Sequence, residues 1–304
     1  MIAQIREGRV VYEAVNSCLY NAVKLQGKHL VTIEALGSPE SLHPIQQAML
    51  DFHATQCGYC TPGFVMSMFA LFATQLKPDR ETILAALEGN LCRCTGYDSI
   101  LKAAEHLAVS CTPENIVPDW CRDVEAKLLA GCQNPEYAEK KGVRLRHCDK
   151  YLYPASMEEL TCLMSEHPGH TLINGGTDIM VQMNVQRRQF PVLIDISGVA
   201  GLDRIVEESN AVCIGANVTY TALQESALLR QRIPALGELI AQIASRQIRN
   251  FATLAGNIAN ADTPGYAARD LNFKEAMANA TGGPSANLMA SSSTAGNPAG
   301  TTHP

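Results

Sequence analysis

The 304-residue sequence predicts an α/β multidomain (α+β) chain, with a four-helix domain followed by an α/β domain. Three observations predict it. Two cysteine pairs, "QCGYC" at 56–60 and "LCRCTGY" at 91–97, sit among stretches of helical periodicity. From residue 151 onward, strand-like and helix-like stretches alternate. Between these halves runs a polar stretch that carries Pro113, Pro118 and Pro135.

Taken in order, residues 1–37 hold two strand-like runs, "RVVYEAVNSC" and "KHLVTIEAL", too little for an independent fold. Residues 38–111 are predicted to form the helical domain. "HPIQQAMLDFHATQ" places Ile45, Ala48, Met49 and Phe52 on one face, and "PGFVMSMFALFATQL" does the same with Phe64, Val65, Met68, Leu71 and Phe72. In "DRETILAALEGN" Asp79 is the expected N-cap and Gly89 the expected stop, and "DSILKAAEHLAV" supplies a fourth helix. Residues 112–150 are predicted to be a linker. In 151–261, Ser156 and Glu159 have capping-box spacing before a helix. "HTLIN", "PVLIDI" and "AVCIGA" are expected strands, with helices at "DIMVQMNV" and "IPALGELIAQIA". Residues 262–304 are low in large apolar side chains towards the end and predict disorder.

Bulk composition narrows the function classes. Lys and Arg number 24 against 30 Asp and Glu, a net charge of −6, which argues against a nucleic-acid backbone as main partner. The N-terminus shows no signal-peptide pattern and no apolar run reaches membrane-span length, so a soluble cytoplasmic protein is expected. Eleven cysteines in such a setting read as ligands, reactive thiols or small buried residues rather than disulfides. Cys111, Cys121, Cys132, Cys148, Cys162 and Cys213 are scattered singly and are expected to be small buried or surface residues. His29, His43, His53 and His106 are isolated and are expected to be surface or core, not catalytic.

Cys57, Cys60, Cys92 and Cys94 differ from the rest. Each pair stands at a helix entrance, where unpaired N–H groups and the helix dipole favour thiolates. Thr61 is the expected N-cap of the helix after the first pair, with Pro62 at its first position. Four thiolates so placed suit zinc or an iron–sulfur cluster. The C-x-C spacing and helix-end location, unlike zinc-ribbon knuckles, tilt the reading to [2Fe-2S].

"QCGYCTPGFVMS" followed by "LEGNLCRCTGY" closely resembles the helical [2Fe-2S] domain of the molybdenum hydroxylases, which include xanthine dehydrogenases, aldehyde oxidases and carbon monoxide dehydrogenases. The resemblance implies that these four cysteines ligate one [2Fe-2S] cluster and that Gln56 lies on the route to a molybdopterin cofactor on a partner chain. "YEAVNSCLYNAVKLQGKHLVTIEAL" is similar to the end of that family's ferredoxin-like domain. Cys18 matches the distant ligand of a second cluster whose other three ligands have no counterpart here, so Cys18 is an orphan.

"LINGGTDIMVQM" puts Gly175, Gly176 and Thr177 between a strand and a helix, a phosphate cradle in outline but not a G-x-G-x-x-G fingerprint. With "SRQIRNFATLAGNIANA" it resembles the family's FAD-binding domain, here truncated. The resemblance implies FAD contacts from Leu172, Ile173, Asn174, Gly175, Gly176, Thr177, Asp178 and Ile179, and from Thr253, Leu254, Ala255, Gly256 and Asn257. It is most like the small iron–sulfur/FAD subunit of bacterial xanthine dehydrogenase, truncated at both ends. It implies an oxidoreductase that passes electrons from a molybdopterin-binding large subunit through [2Fe-2S] to FAD and NAD, without a catalytic base of its own. The flavin sheet, cut short, is expected to leave edges and apolar faces uncovered.

The resemblance breaks after "GNIANA". Where the family places an Asp near the flavin, this chain has Tyr266. "NIANADTPGYAARDLNF" and "TTHP" resemble flagellar basal-body rod proteins, so a chimaera with a junction at about residues 257–261 is expected. Two other functions are therefore set beside electron transfer. One is an inactive fragment with a structural four-cysteine metal site. The other is a rod-type structural protein with a foreign N-terminal part.

Overall fold

A computed structural model describes residues 1–131 and 145–251, apart from positions 7, 26, 210 and 244. Its first element was missed in the sequence. "IAQIR" forms β1 (Ile2–Arg6), which turns through Gly8 into β2 (Arg9–Glu13) and also pairs with β3 (His29–Leu30). The resulting antiparallel sheet has order β2-β1-β3. Residues 1–37 thus contribute three strands, not two.

Four helices follow: α1 (Pro44–Asp51), α2 (Thr61–Thr74), α3 (Arg80–Leu87) and α4 (Asp98–Ser110). The apolar faces read from spacing are buried, except for Phe52, which is half-buried against the same core. Ile45, Met49, Phe64, Val65, Met68, Phe72, Ile83, Ile100 and Ala103 lie in one core with Phe69, whose ring meets Tyr12 of β2 edge-on at 5.6 Å. Each fully buried large side chain of this set contributes about 1.5–3 kcal/mol. Asp79 caps α3 by accepting from the Thr82 N–H at 2.8 Å. Thr61 does not cap α2. The N-cap is Cys60, and the Thr61 hydroxyl instead meets that of Thr55 at 2.8 Å.

The stretch 112–150 is more than a linker. It forms α5 (Pro113–Ile116) and α6 (Asp119–Gly131), and it includes most of β4 (Cys148–Leu152). Ile116 and Cys121 are fully buried in the same core as the four helices, and Tyr12 donates to Glu125 at 3.0 Å. Three prolines suggested an open chain. Pro113 instead opens α5 and Pro118 directly precedes α6, positions that proline tolerates. Residues 132–144, with Pro135 and Cys132, lie outside the described residues. Of the remaining scattered cysteines, Cys111 is buried, Cys148 half-buried, and Cys162 and Cys213 exposed.

His43 has a structural role. Its Nδ1 accepts from the Ile45 N–H at 3.3 Å, and the Gln46 side chain accepts from the His43 N–H at 2.9 Å. Its Nε2 must then carry the proton and donates to the Ile116 carbonyl at 2.9 Å, joining α1 to α5. A histidine cap is outside the usual Ser/Thr/Asp/Asn set, so the sequence did not point to it.

The second half has a parallel three-stranded sheet. β4, β5 (Thr171–Ile173) and β6 (Phe190–Asp195) run in the order β4-β6-β5. α7 (Met157–Glu166) and α8 (Ile179–Asn184) make the crossovers. Ser156 caps α7 by accepting from the Glu159 N–H at 3.2 Å, but the Glu159 carboxylate accepts from Ala155, one residue before the cap. The antiparallel pair β7 (Ile205–Glu208) and β8 (Ala211–Ile214) follows. Then come α9 (Tyr220–Glu225), α10 (Ala227–Arg232), α11 (Pro234–Ala241) and α12 (Arg246–Arg249). The expected strands and helices of this half are present. β7, α9, α10 and α12 are additional, and all are too short for periodicity to resolve. Among the described residues no helix is long and apolar enough to cross a membrane.

Burial lowers the His43 pKa, so the folded state holds fewer protons than the unfolded chain once pH drops to about 6.5. Stability is therefore expected to fall as pH is lowered below about 6.5. His43→Asn keeps a capping acceptor without the titration. Urea unfolding between pH 5 and 8 is expected to show a larger acid loss in the wild type than in this variant, which keeps the share due to His29, also lowered by burial. Parallel profiles would remove the role given to His43.

Candidate functional site: four thiols and a strand-end loop

The chain leaves α1, turns through Gly58 at φ +81°, and enters α2 directly from Cys60. Beyond α3 a second loop carries Cys92 and Cys94, then turns through Gly96 (φ +65°) and Tyr97 (φ +70°) into α4. Side chains fix the second loop on itself and on α2. Asn90 donates to the Ser67 hydroxyl of α2 at 2.9 Å, while the Tyr97 hydroxyl accepts from the Cys92 N–H at 3.0 Å. Gly63 admits this packing, since a Cβ there would lie 2.6 Å from Asn90 Oδ1.

All four sequence-predicted cysteines come together. They meet as two pairs, each taking one thiol from either loop. Cys57 and Cys94 Sγ atoms are 3.4 Å apart, and Cys60 shares a thiol hydrogen bond with Cys92. Among the described residues no three His, Cys, Asp or Glu side chains converge as around a single metal ion. Cys57 and Cys94 are exposed, Cys60 and Cys92 half-buried.

Helix entrances were expected to favour the thiolate at all four positions. The structure splits them. Cys92 is pulled down to about 7 by the Thr95 hydroxyl at 3.1 Å and the Thr95 N–H at 3.5 Å. The Tyr59 N–H and the Cys94 thiol lower Cys57. Burial, then the bond to Cys92, pushes Cys60 up to about 11, and Cys94 rises because it gives its proton to Cys57. Each pair thus holds one thiol disposed to ionise and one that donates to it. This donor set fits a centre that takes two thiolates on each side, as a [2Fe-2S] cluster does.

Cys18 is exposed and bonds Asn16 Oδ1 at 2.9 Å, while its carbonyl accepts from Asn184 at 2.8 Å.

The first predicted flavin segment, 172–179, leaves the carboxyl end of β5. Ligands of open parallel sheets sit outside such ends. Gly176 has φ +83°, and a Cβ there would touch Ile173 and Met180 at 3.4 Å. No backbone carbonyl among the described residues accepts from the N–H of Gly176, Thr177 or Asp178, which leaves a donor set that fits an anionic group. α8 behind it has only six residues, so the helix dipole contributes less than the sequence suggested. The second segment, Thr253–Asn257, lies outside the described residues, as does the whole tail from 252.

Sequence reading missed the residues around this loop. Asn174 is buried and donates to Ala216 O and Asn217 Oδ1 at 3.0 and 2.7 Å. Its carbonyl accepts from the Lys24 ammonium. Lys24 also faces Asp195 at 3.6 Å, a fully buried carboxylate at the end of β6 to which Tyr151 donates. Asn21 bonds Tyr151 at 2.9 Å. Burial and Asp195 raise the Tyr151 pKa, which keeps it a donor. An acidic residue closing the apolar run "FPVLID" was the one signal available for Asp195. A separate cleft of about 860 Å³ opens between the β1–β2 hairpin, α2 and α9, and neither predicted site lines it.

Comparison with known families matches residues 32–105 to the [2Fe-2S] binding domain and residues 141–282 to the FAD binding domain in molybdopterin dehydrogenase. The flavin match runs past the junction expected at about 257–261. Xanthine dehydrogenase of Drosophila subobscura is 30% identical, over 85% of this chain and 22% of its own length. Aldehyde oxidase 2 of Macaca fascicularis is 30% identical, over 88% of this chain and 23% of its own. Both relatives are oxidoreductases, and the chain spans about a fifth of their length. Among solved structures, the reconstituted CO dehydrogenase from Oligotropha carboxidovorans is 29% identical over 39% of this chain and 42% of that one, with a TM-score of 0.37.

In the metal-free chain, iodoacetamide is expected to label Cys92 with half-maximal rate at about pH 7 and Cys60 only near pH 11. Peptide mass spectrometry across pH reads both. Equal labelling of the two at pH 7 would contradict the split.

Proposed function

We propose that this chain is the electron-transfer part of a molybdenum hydroxylase, most like the small iron–sulfur/FAD subunit of bacterial xanthine dehydrogenase. In this reading it takes electrons from a molybdopterin-binding partner and delivers them by way of FAD to NAD. The observation that carries the proposal is the gathering of Cys57, Cys60, Cys92 and Cys94 as two thiol pairs at the helix entrances. Support also comes from the order of the two matched domains, iron–sulfur before flavin.

The residues divide the work. Cys57 with Cys94, and Cys60 with Cys92, would each supply two thiolates to a [2Fe-2S] cluster, and Gln56 stands beside the first of them on the side assigned to the partner. The N–H groups of Gly176, Thr177 and Asp178 would take the diphosphate of FAD, with Thr253–Asn257 completing the contact. Lys24, held by Asp195 and the Asn174 carbonyl, fixes the approach to that loop and keeps a positive charge beside it. When bound, the cluster supplies one-electron chemistry and the flavin converts it to the two-electron chemistry that a nicotinamide needs. No acid, base or nucleophile on this chain is needed for that task. Cytoplasmic location, and Cys18 as the unmatched ligand of a second cluster, belong to the same proposal.

The test is reduction by NADH under anaerobic conditions. NADH is expected to bleach the visible absorption of the purified chain. Gly176→Val, a β-branched residue at a left-handed φ, is expected to keep the dithionite-bleachable absorption and lose flavin and the response to NADH. Bleaching by dithionite but not by NADH in a flavin-containing wild type would reject NAD as the acceptor.

A further inference from the structure

The short segment "SRQIRN" at 245–250 reaches three elements of the upstream half. Gln247 is buried, and its Nε2 donates to the Ser67 hydroxyl of α2 at 3.2 Å and to the Ala86 carbonyl of α3 at 2.8 Å. Arg249 is 3% exposed and donates to Glu88 at 2.8 Å, and the Arg246 N–H donates to the same carboxylate at 3.1 Å. Asn250 donates to the Ala14 carbonyl at 2.8 Å and accepts from Thr221 at 2.8 Å.

Two features make this more than incidental packing. Ser67 already accepts from Asn90, the residue that ties the Cys92–Cys94 loop to α2, so one hydroxyl receives both the thiol loop and Gln247. Gly89 is also shaped for the contact. A Cβ there would lie 1.9 Å from Gln247 Oε1, although the Gly89 backbone is not in the left-handed region. The space at this position is bounded by two side-chain ends, Gln247 Oε1 and Ser245 Oγ at 2.8 Å, and not by the Gly89 φ. Undocking would strip the buried Gln247 amide N–H and the Arg249 guanidinium of these acceptors, while Gln247 Oε1 is buried without a partner among the described residues.

We propose that residues 246–250 form a latch that docks the flavin half onto the iron–sulfur half. Gln247 and Arg249 act as positioning residues for electron transfer between them. In the sequence the latch is followed by 253–257, the second segment that the resemblance assigns to FAD. Its consequence for transfer rests on the function proposed above, whereas the docking itself does not.

The test is hydrogen exchange on the full chain in four forms: wild type, Gly89→Ala, Gln247→Ala and the double variant. Gly89→Ala is expected to speed exchange of the 245–250 amides by about tenfold or more, with far-UV circular dichroism and visible absorption unchanged. In the Gln247→Ala background only the Ser245 hydroxyl, 2.8 Å from that Cβ, still has to turn aside, so Gly89→Ala is expected to add much less. An equal effect of Gly89→Ala in both backgrounds, or none in either, would overturn the latch. NADH bleaching that slows in Gly89→Ala at wild-type flavin content would extend the latch to transfer, and an unchanged rate would overturn the positioning role while leaving the docking. Loss of the redox reading alone would appear as absent iron or flavin in the wild type, with the exchange pattern intact.

Discussion

Two loops far apart in sequence must present their thiols to one another, and the first half of the molecule is arranged around that demand. α2 begins at Cys60 itself, so the first loop has no room for an ordinary cap, and Thr61 spends its hydroxyl on Thr55. The second loop needs two successive left-handed residues, Gly96 and Tyr97, before α4 can start. Tyr97 accepts that conformation while its hydroxyl anchors the Cys92 N–H and its ring packs near Phe64. Asn90 and Ser67 close the arrangement. The thiols can therefore sit at the surface without being loose.

That geometry also decides the electrostatics. Four thiols at helix ends do not share one fate, because a thiol at 3.4 Å from another either gives or receives its proton. Thr95 lowers Cys92, and burial raises Cys60, its partner. A centre that replaces those protons with iron relieves both burdens at once.

Legibility of the sequence followed the range of the interactions. α1, α2 and the Asp79 cap depend on neighbours three or four residues away, and spacing revealed them. The four cysteines were legible because their types and spacing are informative before any fold is known. β1 was not, since "IAQIR" becomes a strand through its pairing with Val10–Glu13 and with His29–Leu30. The stretch after 112 was read as a linker because its prolines were weighed without the core that buries Ile116 and Cys121. Lys24 against Asp195 and Gln247 against Ser67 join residues far apart along the chain, which no local pattern encodes. The resemblance did place "SRQIRN" in the flavin half, but gave no hint that its side chains would belong to the other one.

The measurement that bears most directly on the paired thiols is the metal content of the anaerobically purified chain, with the electron paramagnetic resonance spectrum after dithionite reduction. About two irons per chain, no zinc, and a single signal from a reduced [2Fe-2S] centre are predicted. About one zinc per chain with no iron and no such signal would contradict the account.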